Sequence, residues 1–340
     1  MRAMLLRQVA SLEERPEPLD LVDRPIPECR AGEVVVEVSV CGVCHTELDE
    51  IEGRTPPPEL PVVPGHQIVG RVAERGPGAT RHEIGDRVGI GWIHSSDGGE
   101  EENLSAAFVA TGRDTDGGYA EFVVVPEAYA FPIPDRFDDT QAAPLLCAGA
   151  IGYRSLRLCG LRDGDPLGLT GFGASGHLVL QLARHLYPSS DVFVFARDPE
   201  TRDFAAELGA AWTGATEERA PTPLRAIIDT TPAWKPVVEG LANLAPGGRL
   251  VINAIRKEAG DQDYLSNLVY HEHLWMEREI KSVANITGRD IAAFLPIAAE
   301  IPLKPTVETY PLEEANRALR DLRTGGSRGA KVLVIREPGR

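Results

Sequence analysis

Pro166-Leu167-Gly168-Leu169-Thr170-Gly171-Phe172-Gly173-Ala174-Ser175-Gly176 is the stretch on which the reading of the fold turns. A short apolar run, a G-x-G-x-x-G turn and the helix-like segment 177–184 follow one another, which reads as strand, turn and helix. A lone G-x-G-x-x-G is a weak signal, because glycines are common in turns. The strand–turn–helix context gives it weight. Gly171 permits the tight turn, Gly173 lets backbone approach a pyrophosphate, and Gly176 lets helix and strand pack closely. The free N–H groups at the helix start then bind phosphate oxygens. Gly171, Phe172, Gly173, Ala174, Ser175 and Gly176 are therefore the expected dinucleotide contacts.

The next strand decides between the two nicotinamide dinucleotides. An acidic residue about 20 positions on would hold the ribose diol of NAD. Here Val192-Phe193-Val194-Phe195 ends in Ala196-Arg197. Ala196 carries no carboxylate and Arg197 suits a 2′-phosphate, so NADP(H) is slightly favoured over NAD(H). The alternative leaves Arg197 as a solvated loop residue and puts Asp198 on a plain ribose.

Working outward, strands and helices alternate after Pro134. Residues 139–159 read as helix. Strands follow at 166–170, 191–196, 225–229, 248–253 and 279–284, with helices at 174–186 and 200–208. A helix near 311–323 and a strand at 331–335 close the chain. This alternation predicts an α/β fold with a doubly wound parallel sheet. Before residue 140 the pattern differs. In Glu33-Val34-Val35-Val36-Glu37-Val38-Ser39-Val40 the even-numbered valines fall on one face, a half-buried strand of period two. Further short runs at 67–72, 86–90 and 119–125 make this part mostly β, with long loops.

The chain has 340 residues, which at roughly 100–200 per domain suggests two domains. Its formal net charge of −16, with no dense Lys/Arg cluster, argues against a nucleic-acid partner. No run approaches the roughly 20 apolar residues that span a bilayer, so no membrane partner is expected. The start of the chain lacks the pattern of a signal peptide, and a cytoplasmic location is expected. The five cysteines, Cys29, Cys41, Cys44, Cys147 and Cys159, are too few and unevenly spaced for a disulfide framework. Cys44, His66 and Cys147 suggest a metal, but they lie far apart and their spacing alone proves nothing; a single Cys near a Gly turn is more often a small buried hydrophobe.

Five motifs in order change that balance. Cys41-Gly42-Val43-Cys44-His45-Thr46-Glu47-Leu48, Gly65-His66-Gln67-Ile68-Val69-Gly70, Gly85-Asp86-Arg87-Val88, Gly117-Gly118-Tyr119-Ala120-Glu121 and Leu146-Cys147-Ala148-Gly149 strongly resemble those of the zinc-containing medium-chain alcohol dehydrogenases. The resemblance covers essentially the whole chain. It implies a GroES-like, mostly β catalytic domain (1–148 and 285–340) interrupted by a Rossmann dinucleotide-binding domain (149–284), with the active site in the cleft. It implies that Cys44, His66 and Cys147 hold a catalytic Zn2+, leaving a fourth position for water or substrate. It also implies that Thr46 takes the alcohol proton, that His45 lies on the cofactor, and that the chain forms a dimer or tetramer through the dinucleotide-binding domain. The substrate would be a small alcohol or aldehyde.

The sequence departs from that family in four places. Many members hold a second, structural zinc with four cysteines, but residues 92–105 contain none and Ser105 stands where the last usually falls. One zinc per chain, no structural zinc and a lobe held by ordinary packing are expected. Gln67 replaces the Glu that usually follows the zinc His, and Glu47 replaces the Asp that orients it. Asp49 stands where a His often ends the proton relay; it is either a relay group or a surface acid. Trp92 is read as an apolar wall of the substrate pocket, against simple core packing. Cys41 reads as structural, Cys29 and Cys159 as bystanders, and His271 and His273 as surface or inter-subunit residues. Two other functions stay open at this point: a zinc-free quinone or enoyl reductase of the same superfamily, and a non-catalytic nicotinamide-binding protein.

Overall fold

In a computed structural model, the described residues are 1–340 except 174, 302, 304, 325–328 and 337–340, so Ala174 lies outside them. The chain divides into two compact units: Met1–Cys147, Ile286–Glu300 and Lys304–Arg340 form one, and Ala148–Asn285 with Ile301–Leu303 form the other.

The first unit is built on a seven-stranded sheet whose centre is the strand Glu33–Val43. It pairs antiparallel with Ile68–Arg75, Phe122–Pro126 and Ala330–Val334. Val307–Pro311 adds in parallel to Ala330–Val334. The expected one-sided burial is exceeded: Val35 is buried as fully as Val34 and Val36. The central strand is covered on both faces, and register shifts at Val35/Val36 and Val38/Val40 break the strict alternation. Each fully buried Val or Ile here contributes about 1.5–3 kcal/mol relative to exposure.

The second unit is a six-stranded parallel sheet. Its strands run Trp212–Gly214, Val192–Phe195, Leu167–Thr170, Leu224–Asp229, Leu244–Ile252 and Glu279–Ser282 across the sheet. Chain order reverses between Leu167–Thr170 and Leu224–Asp229, which makes their carboxyl ends the switch point where such sheets bind ligands. Leu167 and Leu169 are fully buried, as parallel central strands require. Phe193, Phe195, Leu224, Ile227, Val237, Leu241, Leu244 and Leu250 form one apolar cluster on this sheet.

Two local readings need correction. Residues 139–159 are not one helix: Asp139–Ala142, the 3-10 turn Ala143–Leu146 and the helix Ala148–Cys159 are separated at Cys147, whose φ of −129° and ψ of −76° break the run. A helix also forms early, at His45–Ile51, although the first part reads as mostly β. Seven residues, four of them charged or histidine, show too little apolar period to be seen in sequence.

Candidate metal centre and dinucleotide site

The strand pair at the middle of the first sheet brings the distant ligands together. Glu33–Val43 runs directly into Cys44, which heads the helix His45–Ile51. Its neighbour Ile68–Arg75 begins opposite Cys41, so His66 arrives beside Cys44, and the Gly42 N–H donates to the Gln67 carbonyl at 2.9 Å. Gly65 makes this approach possible. Its φ is +102°, and a Cβ there would lie 2.4 Å from the Tyr119 ring and 2.9 Å from Cys41 Sγ. The turn Ala143–Leu146 packs on three strands of the same sheet and delivers Cys147. One ligand atom each from Cys44, His66 and Cys147 then lies within 4.8 Å of the others.

Glu47 organises two of the three. Its Oε2 accepts the Cys44 N–H at 2.7 Å, and its Oε1 lies 2.5 Å from His66 Nδ1, a contact short in distance but off the line of a regular hydrogen bond. Glu47 has no exposed surface and His66 only 1%. With Nδ1 turned to the carboxylate, His66 Nε2 is buried without a hydrogen-bond partner among the described residues. A buried ring nitrogen left open beside two thiols is the donor set that Zn2+ takes, with the other nitrogen oriented by an acid.

The protonation balance agrees. Cys44 is held well below the usual thiol range, chiefly by its hydrogen bond with Cys147 and then by His66, against burial. Cys147 is pushed well above it by Cys44 and by burial. Burial opposes charge on His66, yet Glu47 and Cys44 hold its pKa well above the ordinary value. A dication takes both thiols as thiolates, so its binding would release protons here.

Around this centre, Trp92 lies edge-on to His66, with ring centroids 6.3 Å apart, and tilts against Phe108 at 5.6 Å. Its indole N–H donates to Glu50 Oε1 at 3.3 Å. Glu50, only 1% exposed, was not singled out from the sequence, although its i+3 spacing from Glu47 puts both acids on one helix face. Burial, then Glu47, pushes its pKa well above the carboxylate range. Thr46 is half-buried, and Cys44 Sγ donates to its hydroxyl over 3.6 Å. His45 is exposed. Asp49 is no surface acid: it is 2% exposed and bound at 2.6 Å by Arg54 Nε, so its charge is met inside the fold rather than facing solvent.

The lobe at residues 92–105 is also held differently from expectation. Glu102, 3% exposed, accepts the Tyr129 hydroxyl at 2.8 Å and the Gly288 N–H at 2.6 Å. Ser96 N–H donates to the Tyr129 oxygen, and Ser96 Oγ to the Glu102 carbonyl at 2.7 Å. A hydrogen-bonded carboxylate, set at the start of the helix Gly288–Glu300, fastens the lobe where ordinary packing was expected.

In the second unit the glycine turn sits at the switch point. Gly171 has φ +78°, and a Cβ there would lie 2.8 Å from Thr231 Cγ2. Gly176 starts the helix Gly176–Leu186, where a Cβ would meet the Gly171 carbonyl at 2.8 Å. A Cβ on Gly173 would meet no atom of the described residues within 4 Å, which leaves that face of its backbone approachable, while its carbonyl lies 2.9 Å from His177 Nδ1. Phe172 is buried against Phe204, and Ser175 precedes the helix. Ala196 is buried and Arg197 exposed at the end of Val192–Phe195. Arg202, not anticipated, donates to both their carbonyls at 2.8 and 3.0 Å. Of the remaining residues, Cys41 and Cys159 are buried and structural, while His273 is buried at 5% rather than on the surface, its Nδ1 against Val269.

Residues 30–135 match the family model of the alcohol dehydrogenase GroES-like domain. Over 94% of this chain and 93% of its own length, a "probable alcohol dehydrogenase AdhA" of Mycobacterium tuberculosis is 41% identical. An alcohol dehydrogenase of Geobacillus stearothermophilus is 31% identical over 97% of this chain and 99% of its own. Among solved structures, a cinnamyl alcohol dehydrogenase from Sorghum bicolor superposes with a TM-score of 0.82 at 26% identity, covering 97% of both chains. The chain belongs to the medium-chain zinc alcohol dehydrogenase family, and is an NAD(P)-dependent oxidoreductase of alcohols and aldehydes. The zinc-free reductase and the non-catalytic reading are thereby set aside. No helix among the described residues is long and apolar enough to cross a membrane.

Proposed function

We propose that this enzyme interconverts a small alcohol and its carbonyl compound with a single Zn2+ per chain, held by Cys44, His66 and Cys147. One observation carries the assignment: three soft or borderline donors converge within 4.8 Å, and the buried His66 Nε2 among them has no hydrogen-bond partner among the described residues. Three protein ligands match the open coordination of a catalytic, not a structural, site. The absence of cysteine from residues 92–105 and the Glu102 network support one metal per chain.

Bound zinc supplies Lewis-acid polarisation of the substrate oxygen, and the nicotinamide accepts or gives the hydride. The chain's own residues do the rest. Glu47 fixes the His66 ring and the Cys44 backbone together. The Thr46 hydroxyl, beside Cys44 Sγ, relays the alcohol proton during oxidation, accepting it while giving its own towards the cofactor ribose and solvent, and the relay reverses during reduction. Asp49 is left out of that route, because Arg54 already holds its carboxylate. Trp92, kept in place by Glu50 and packed on His66, forms an apolar wall that favours a carbon skeleton over water. His45 supplies an exposed polar group for the cofactor.

On the second unit, Gly171, Phe172, Gly173, Ser175 and Gly176 form the pyrophosphate turn, and Arg197 takes the 2′-phosphate, which favours NADP(H). The exposed edge strand Glu279–Ser282, beside exposed Val269, Tyr270, Trp275 and Met276, supports assembly with a second copy of the chain. A cytoplasmic setting suits thiolate ligands that must stay reduced.

The test is elemental zinc on protein purified without added metal or affinity tag, followed by turnover of alcohols and aldehydes with both cofactors. We expect about one zinc per chain, lost in Cys44→Ser and Cys147→Ser together with turnover. Two zincs per chain would refute the single site. No zinc, with no activity restored by adding it, would refute the mechanism.

A further inference from the structure

The carboxyl ends of the two strands at the switch point are joined by a buried charged cluster. Asp229 ends Leu224–Asp229 and lies in register with Thr170, the last residue of Leu167–Thr170. It has no exposed surface. Its Oδ1 accepts the Thr170 hydroxyl at 2.6 Å and the Thr231 hydroxyl at 2.8 Å. Its Oδ2 accepts from Lys257 Nζ. Lys257 then spends its other two N–H bonds on the Thr231 carbonyl, at 2.7 Å, and the Ala233 carbonyl, at 3.0 Å. The side chain is 7% exposed. An ammonium has three donors and no more, and all three are committed here.

The segment that Lys257 holds, Thr230 to Ala233, is the wall of the glycine turn. Gly171 lacks room for a Cβ because Thr231 Cγ2 and Thr230 Oγ1 would lie 2.8 and 2.9 Å from it. Thr230 and Thr231 thus stand directly against the bare face of Gly171. Buried ion pairs add little net stability, since desolvation cancels much of the attraction. A pair placed there is better explained by geometry than by stabilisation.

We propose that Lys257 is a positioning residue for the dinucleotide. Bound to Asp229 and to two carbonyls of Thr230–Ala233, it fixes the loop against Gly171 and so sets the affinity of the pyrophosphate turn. The inference rests on the nicotinamide-binding reading above. It separates two properties that a structural ion pair would keep together. Lys257→Met and Asp229→Asn each strand a buried charge or donor and lower the Tm, by on the order of 10 °C. The double variant Asp229→Asn/Lys257→Met removes the uncompensated charge and regains most of that Tm. It does not regain the two carbonyl bonds, so the loop stays unfixed.

Cofactor affinity is read by titrating NADH and NADPH fluorescence on full-length wild type and variants, with Tm and zinc content measured on the same samples. We expect the dissociation constants of both cofactors to rise about tenfold in the double variant, corresponding to roughly 1.4 kcal/mol, with zinc content unchanged. Thr231→Val removes one bond to Asp229 without stranding a charge; it should weaken binding of both cofactors in the same direction, and it tests the proposal even if the charge variants fail to fold. Wild-type affinity in the double variant and in Thr231→Val overturns the proposal. Failure of the wild type itself to bind either cofactor would instead refute the nicotinamide reading.

Discussion

Replacing Glu47 by glutamine alters the metal centre with almost no change in volume. Both carboxylate oxygens of Glu47 face donors: the Cys44 N–H at 2.7 Å and His66 Nδ1 at 2.5 Å. Glutamine keeps one acceptor and offers an NH2 group in place of the other, so a donor meets a donor in a site with no exposed surface. Losing either charged contact, the hydrogen bond from Cys44 N–H or the ion-pair contact with His66, costs about 1.5–3 kcal/mol, because in a buried site water cannot replace it. Each 1.4 kcal/mol is roughly tenfold in an equilibrium constant. The loss therefore corresponds to about 10–100-fold weaker zinc binding, in the range for removing a group that orients a metal-ligating His. Competition with a chromophoric zinc chelator at fixed pH measures it directly. Glu47→Asp keeps the carboxylate on a shorter stem and should fall between wild type and Glu47→Gln. Zinc affinity of Glu47→Gln within twofold of wild type would refute the reasoning, since the carboxylate would then be a bystander.

Burial and then the Glu102 carboxylate push the Tyr129 phenol up to about 12 from the ordinary 10. A raised pKa favours the protonated form in the fold, so this stabilisation is complete below pH 10 and lost as pH rises through about 12. Tyr129→Phe should flatten the fall of Tm in that window, and parallel slopes in both proteins would refute it. Arg197→Ala should weaken NADPH binding about tenfold, the size of one charge-assisted phosphate contact, and leave NADH nearly unchanged; equal effects on both cofactors would count against the 2′-phosphate role. Ile280→Asp places a charge on the exposed edge strand and should reduce the mass seen by sedimentation equilibrium. A wild-type monomer, or an unchanged oligomer in the variant, would remove that edge from the interface.

The glycine turn and the parallel sheet were legible because their signal is local. Leu167 to Gly176 carries an apolar run, two required glycines and a helix start within ten positions, and the structure needs each in the expected role. The metal centre was legible only by resemblance. Cys44, His66 and Cys147 meet through the pairing of Glu33–Val43 with Ile68–Arg75 and the packing of Ala143–Leu146, and no spacing in the sequence encodes that pairing. Residues that act through a distant partner stayed hidden for the same reason. Lys257 finds Asp229 across 28 positions and Glu102 finds Gly288 across 186. Asp49 stayed open between a relay group and a surface acid, because its burial and its bond to Arg54 depend on how the chain folds back after the helix His45–Ile51.

The lobe at residues 92–105 gives the protein an uncommon independence. A clasp of thiolates around a metal fails when an oxidant or a chelator reaches it. The Glu102 clasp, made of a carboxylate, a phenol and a helix-start amide, contains nothing that peroxide oxidises readily or that a chelator can extract. The candidate metal cluster Cys44, His66 and Cys147 is a separate set of residues, so loss of metal or thiol there leaves the Glu102 clasp intact. The lobe should therefore keep its fold when a chelator or an oxidant has emptied the metal site.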